Sequence, residues 1–150
     1  MPYAVKKDML ERYGKPEMEG LVADGEKGEA SVDAALADAA GEIDGYLAVR
    51  YALPLPQGRN WPSLKWISCD MARYRLWEGK IKDETDTVYM RYRRAVGYLE
   101  ALAAGEATLV DDKGEGPPLS GKGSSIRVRS DRAKAFTNDV LKGMNYGFDN

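Results

Sequence analysis

A glycine-rich segment near the C-terminus comes closest to a motif that could do chemistry. Residues 116–123 read Gly-Pro-Pro-Leu-Ser-Gly-Lys-Gly, and the lysine follows a glycine as it does in phosphate-binding loops. Such a loop needs Ser or Thr after the lysine to hold Mg²⁺, and it opens a helix whose amides face the phosphate. Here Gly123 follows Lys122, and two prolines in the segment have no amide hydrogen to donate. The segment therefore favours a linker over a nucleotide-hydrolysing site.

The residue types on which most catalysis depends are scarce. The chain has no histidine, which removes the commonest general base and the commonest metal ligand. Cys69 is the single cysteine, and its apolar neighbourhood predicts a buried, inert thiol. The paired carboxylates, at residues 33 and 38 and at residues 111 and 112, have no nucleophile beside them and are interpreted as solvated. We therefore expect that the protein is not an enzyme and that it has no cofactor and no metal site.

Arginines and aromatic residues alternate between residues 73 and 94. This pattern could bind nucleic acid through phosphate contacts and stacking. The same spacing is typical of aromatic core residues with salt bridges between helices, or of charged contacts between subunits. A formal net charge of −2 gives the whole chain no general attraction to nucleic acid, so no specific DNA binding is expected. The candidate interface residues in this region are Arg73, Arg75, Arg93 and Arg94.

The charges are distributed unevenly. Residues 31–52 carry one arginine and four acids, whereas residues 53–82 carry six basic residues and two acids. The opposite charges indicate either attraction between neighbouring helices or complementary surfaces on adjacent copies of the protein.

Helical periodicity predicts an all-α fold, a compact bundle of about four helices over residues 1–104. The first helix ends at Gly14, and Pro16 prevents its continuation into a loop at residues 14–30. Ser31 is the expected N-cap of the second helix, which runs to about residue 51. The third helix runs from Pro62 to about residue 77, and the fourth runs from residues 83–84 to Gly105. The expected core stripes are Val32, Leu36, Ala39, Ile43 and Leu47; Leu64, Ile67, Met71 and Tyr74; and Val88, Tyr92, Val96, Leu99 and Leu102.

A proline-rich elbow separates the second and third predicted helices. Pro54 has no amide hydrogen, and it pushes Leu53 toward extended geometry. The chain must therefore turn at Leu53-Pro54-Leu55-Pro56, which we expect to set the angle between the two helices. Two glycines of the preceding helix, at positions 41 and 45, predict that a partner helix approaches the backbone there. The candidate elbow residues are Gly45, Leu53, Pro54, Leu55 and Pro56.

Residues 105–150 are predicted to form a flexible arm and a C-terminal interaction tail. Glycine, proline and serine in residues 105–125 indicate a linker outside the core. A strand-like alternation follows, and we expect it to become ordered against a neighbouring subunit or another protein. The tail candidates are Ile126, Arg127, Val128, Arg129 and Phe136. No apolar run approaches the length of a bilayer-spanning helix, and the N-terminus lacks the apolar core of a signal peptide, so we expect a cytoplasmic site of action and no membrane contact.

Several short motifs follow one another along nearly the whole chain. They are Tyr13-Gly14; Ile43-Asp44-Gly45-Tyr46-Leu47 with Arg50-Tyr51 before Leu53-Pro54-Leu55; Cys69-Asp70-Met71-Ala72-Arg73-Tyr74; Arg93-Arg94-Ala95; and Phe136-Thr137-Asn138-Asp139 with Leu141-Lys142-Gly143-Met144. In this combination the chain resembles the small head-tail connector family of Mu-like prophages and other long-tailed phages. The loop at Arg59-Asn60-Trp61 departs from the family pattern.

The resemblance implies a small helical connector without catalytic residues. It also implies self-association into a ring in the virion neck, between the portal protein and a tail-completion protein, after assembly in the host cytoplasm. The alternatives are a small DNA-binding module, which predicts salt-sensitive affinity for DNA, and a small enzyme, which predicts a polar pocket with perturbed carboxylates.

Overall fold

The computed structural model describes residues 2–22, 25–77, 83 and 85–121, and this part of the chain is all-α, as predicted. Among these residues the only extended pairing is one isolated antiparallel bridge, between Tyr51 and Leu119. The helices are α1 (Lys6–Tyr13), α2 (Lys15–Leu21), α3 (Glu26–Leu47), α4 (Pro62–Trp77) and α5 (Thr87–Ala104).

The three long helices enclose the core. Helix α4 packs against both α3 and α5, α3 also contacts α5, and α1 lies on α4 and α2. The predicted apolar stripes face one another, and every member is buried except Tyr74 and Tyr92. Those two rings are half-buried and stack with their centroids 3.9 Å apart, which joins α4 to α5. Periodicity therefore identified the buried face of each long helix correctly.

The N-terminal region differs from the prediction, because α2 occupies part of the expected loop at residues 14–30. Pro16 is the second residue of α2, where a missing amide hydrogen breaks no helical bond. The predicted N-cap at Ser31 is wrong, since α3 begins at Glu26 and the Ser31 hydroxyl donates to the carbonyl of Lys27 (2.7 Å). A Cβ atom at Gly28 would lie 2.7 Å from the backbone of residue 22, so this glycine permits the close approach of α3 to the end of α2.

The ends of the long helices also shift from their predicted positions. Helix α3 ends at Leu47 rather than near residue 51. The Tyr51 amide still donates to the carbonyl of Leu47 (2.8 Å), and Tyr51 then forms the bridge to Leu119. Helix α5 begins at Thr87, where Asp86 is the N-cap and its carboxylate accepts from the amide of Val88 (2.9 Å). It ends at Gly105 in left-handed geometry (φ 75°), as the sequence predicted.

The segment after α5 returns to the body. Leu109 is fully buried in the core cluster, and Pro117 is also buried. The expectation that residues 105–125 lie outside the core is therefore wrong for the described part of this segment. Its glycines and prolines allow irregular backbone to follow the surface of the helices while a single leucine enters the core.

Candidate interaction surfaces

The elbow leads from the end of α3 into α4. Leu55 is buried, whereas Pro54 is exposed, and the Leu53–Pro54 peptide bond is cis. Gly45 lies on the exposed side of α3, two residues before that helix ends. The elbow thus places one apolar side chain in the core and leaves the remaining turn near the surface. Its control of the angle between α3 and α4 stays a prediction.

The segment after α5 covers this elbow through backbone hydrogen bonds. The amide of Ala52 donates to the carbonyl of Pro118, and the amide of Ser120 donates to the carbonyl of Arg50, each at 2.9 Å. From inside, the buried Tyr51 hydroxyl accepts from the amide of Leu109 (3.0 Å). These three bonds fix residues 109–120 against the corner between α3 and α4.

An ion pair also joins the loop after the elbow to the segment after α5. The Arg59 Nε donates to Asp111 Oδ2 (2.7 Å), and Asp111 Oδ1 accepts from the amides of Lys113 (3.0 Å) and Glu115 (2.8 Å). Burial alone would raise the pKa of Asp111, but the hydrogen bonds from Arg59 and the two amides outweigh burial and lower that pKa. The interpretation of Asp111 as solvated is therefore wrong. Its partner is 52 residues away, so no local sequence signal could have identified the pair.

A second buried carboxylate, Asp70 of α4, anchors α1. The Arg12 guanidinium donates to both carboxylate oxygens (3.1 and 2.9 Å), and the Tyr13 hydroxyl donates to Oδ1 (2.5 Å). Burial and the bond to Asp70 both raise the pKa of Tyr13. Burial also raises the pKa of the neighbouring Cys69 thiol to about 12, which agrees with the predicted inert cysteine. This cluster holds α1 on α4.

Two of the candidate interface arginines are paired within the chain. Arg73 donates to Glu17 of α2, and its guanidinium lies 4.4 Å from the Tyr13 ring centroid. Arg75 donates to Glu42 of α3 (2.6 Å). Both contacts join α4 to neighbouring helices. For these two arginines, the structure favours the interpretation as salt bridges between helices.

The arginines of α5 are arranged differently. Arg91, Arg93 and Arg94 are exposed, and none forms a hydrogen bond or ion pair with any residue that the structure describes. Arg91 and Arg94 line a groove of about 390 Å³ together with Trp66 and the Arg12–Asp70 ion pair. Helix α5 therefore presents positive charge that the described residues leave unneutralised.

The remaining candidates, Ile126, Arg127, Val128, Arg129 and Phe136, lie outside the described residues, and their role stays a prediction. Within the described ranges, no three Cys, Asp or Glu side chains converge as metal ligands would. In the same ranges, no helix has the length and apolar character needed to cross a bilayer. The chemistry that the structure displays is ion pairing and hydrogen bonding between helices.

The sequence also matches known proteins. The model of the family described as "Bacteriophage Mu, Gp36" matches residues 3–128. Gene product J of Escherichia phage Mu is 37% identical over 111 residues, covering 71% of this chain and 74% of that protein. The Mu-like prophage FluMu protein gp36 of Haemophilus influenzae is 33% identical over 111 residues, with the same coverage. These matches confirm the Mu-like part of the resemblance, while the connector role stays a prediction. The chain belongs to the bacteriophage Mu Gp36 family.

Proposed function

We propose that this protein is a structural component of the virion that connects head to tail. Copies of the chain form a ring in the neck, between the portal protein and a tail-completion protein, after assembly in the host cytoplasm. The protein is not an enzyme. The observation that carries the proposal is the presence of unlike exposed surfaces on one helical body. They are the arginines of α5, which have no partner among the described residues, and the acidic outer side of α3. Unlike surfaces make head-to-tail contacts, which close into rings when the rotation between copies permits.

The internal contacts support a rigid adaptor. Buried or half-buried ion pairs join α1 to α4 and join the loop at Arg59 to the segment after α5. Breaking a buried pair by removing one partner is strongly destabilising, so these contacts help to keep the helices in fixed relative positions. A ring subunit needs such a body, because each contact must be repeated at one angle around the ring.

The charge balance favours this role over DNA binding. The whole chain has a formal net charge of −2. A chain with that charge has no overall attraction to the phosphate backbone, and Arg73 and Arg75 are already paired. Tyr13 and Cys69, whose pKa values are raised, are half-buried and buried, respectively, and belong to packing contacts between helices.

A joining experiment tests the proposal. Lysates of the phage that carries this gene are prepared without the protein, and particles are counted by electron microscopy before and after the purified chain is added. We expect separate heads and tails before the addition and joined particles afterwards. Joined, infectious particles formed in the absence of the protein would contradict the proposal. Salt-sensitive, submicromolar affinity for duplex DNA together with unaffected joining would favour the DNA-binding alternative.

A further inference from the structure

The outward face of α5 combines exposed positive and apolar side chains. Met90 is 57% exposed, and Arg94 follows it one helical turn later on the same side of the helix. Arg91 and Arg93 flank this row, and Gly97 continues it without a side chain. An exposed apolar residue surrounded by unpaired arginines is typical of an interface that a partner covers.

The groove beside this face suits carboxylates better than nucleotide bases. Its aromatic member, Trp66, already has the Arg12 guanidinium 5.8 Å from its ring and the Tyr98 ring centroid at 5.9 Å. A base that stacked on the indole would have to displace one of these neighbours. A carboxylate would instead accept hydrogen bonds from Arg91 and Arg94, whose guanidinium groups suit planar, bidentate partners.

The outward face of α3 has the complementary character. Asp33 and Asp38 are exposed and form no hydrogen bond or ion pair with residues in the described ranges. Between them runs an exposed row of small residues that includes Ala34, Gly41 and Gly45. A Cβ atom at either glycine would meet nothing in the described structure within 4 Å beyond its own helical turn. A second helix could therefore approach this backbone closely, with acids on both sides of it.

We propose that the basic face of α5 in one copy of this chain binds the acidic face of α3 in the next copy. The inference rests on the proposed function, since it identifies the contact that would build the ring. Arg91 and Arg94 pair with Asp33 and Asp38, and Met90 covers the row of small residues. The two faces are different surfaces of the same body, so the contact leaves a free α3 face at one end and a free α5 face at the other, and it can repeat.

Charge reversal in the full-length chain tests the contact. One variant carries R91E and R94E, a second carries D33K and D38K, and sedimentation velocity is measured over a concentration series at about 50 mM NaCl. We expect the wild-type chain to self-associate and each variant to lose at least about tenfold in association constant. An equimolar mixture of the two variants should associate again, because each reversed face then meets a face of opposite charge.

A matched control separates the specific contact from net charge. Lys7 and Lys15 are exposed on α1 and α2, and the K7E/K15E variant changes the net charge as much as R91E/R94E does. It should associate like the wild type. Circular dichroism verifies the helix content, and R91Q/R94Q replaces R91E/R94E if the latter fails to fold. A monomeric wild type, equal losses in the control, or no restoration in the mixture would overturn the proposal.

Three further outcomes distinguish this contact from other possibilities. If R91E/R94E abolishes binding to a short DNA duplex but leaves self-association intact, the α5 face binds nucleic acid and the proposal is wrong. If the reversed variants associate normally while the wild-type protein joins heads to tails, only the α3–α5 contact is refuted. If charge reversal abolishes association but the protein is dispensable for joining, the contact stands and the proposed function fails.

Discussion

Replacement of Leu109 by alanine tests whether the segment after α5 belongs to the folded body. The Leu109 side chain is fully buried in the core cluster, and its amide donates to the buried Tyr51 hydroxyl. Removing a leucine side chain from a well-packed core costs about 2–5 kcal/mol, because both transfer free energy and a cavity contribute. For a chain of this length, each kcal/mol corresponds to a loss of about 2–4 °C in Tm. We therefore expect Leu109→Ala to lower Tm by about 4–20 °C.

The matched control is the same substitution at Leu119. This leucine lies in the same segment and is 61% exposed, and its bridge to Tyr51 is a backbone contact that alanine preserves. Leu119→Ala should change the free energy of unfolding by no more than about 0.5 kcal/mol. Urea unfolding followed by circular dichroism measures both variants, and an unchanged slope with denaturant concentration shows that the unfolded states are comparable. Equal effects of the two substitutions would refute the placement of residues 105–121 in the body.

Three other variants test the buried carboxylates and the elbow. Folding lowers the pKa of Asp111 below its ordinary value of 3.8. The ionised carboxylate therefore stabilises the folded protein at pH values above 3.8, and this contribution is lost as the pH falls through the folded-state pKa. Asp111→Asn should therefore destabilise the protein more at neutral than at acidic pH in urea unfolding, and a difference independent of pH would contradict this. Tyr13→Phe removes one hydrogen bond to Asp70 and should lower the free energy of unfolding by about 1–2 kcal/mol, so an unchanged urea midpoint would argue against that bond. Joint replacement of Pro54 and Pro56 by alanine should preserve helix content in circular dichroism but impair head-tail joining, and normal joining would show that the elbow angle does not depend on the prolines.

The long helices were predictable because their signals are local. A buried helix face requires apolar residues every three or four positions, and α3, α4 and α5 show that spacing over their length. The proline at the start of α4 and the glycine after α5 are local signals of the same kind, and both boundaries agree with the prediction. Helix α2 was missed, since residues 15–21 are too few to show a period. Burial of Met18 against the rest of the core, rather than intrinsic propensity, accounts for that helix.

The candidate interface was only partly predictable. The sequence indicated an arginine-rich region, but it could not separate Arg73 and Arg75, which pair with other helices, from Arg93 and Arg94, which stay exposed. Consecutive arginines on a helix point in different directions, and the acids that meet them come from α2 and α3. The distinction therefore depends on how the helices cross.

The sequence by itself determined which faces of the long helices are buried, where the chain must turn, and that histidine chemistry is absent. Each of these follows from residue types or from spacing within a few turns. Only the tertiary structure decided that Leu109 enters the core and that Arg59 meets Asp111 across 52 positions. It also decided which acids and arginines on the outer faces of α3 and α5 have no partner in the part of the chain that the structure describes. These outcomes depend on contacts between distant segments, and the periodicity of one segment carries no information about the partner that another segment supplies.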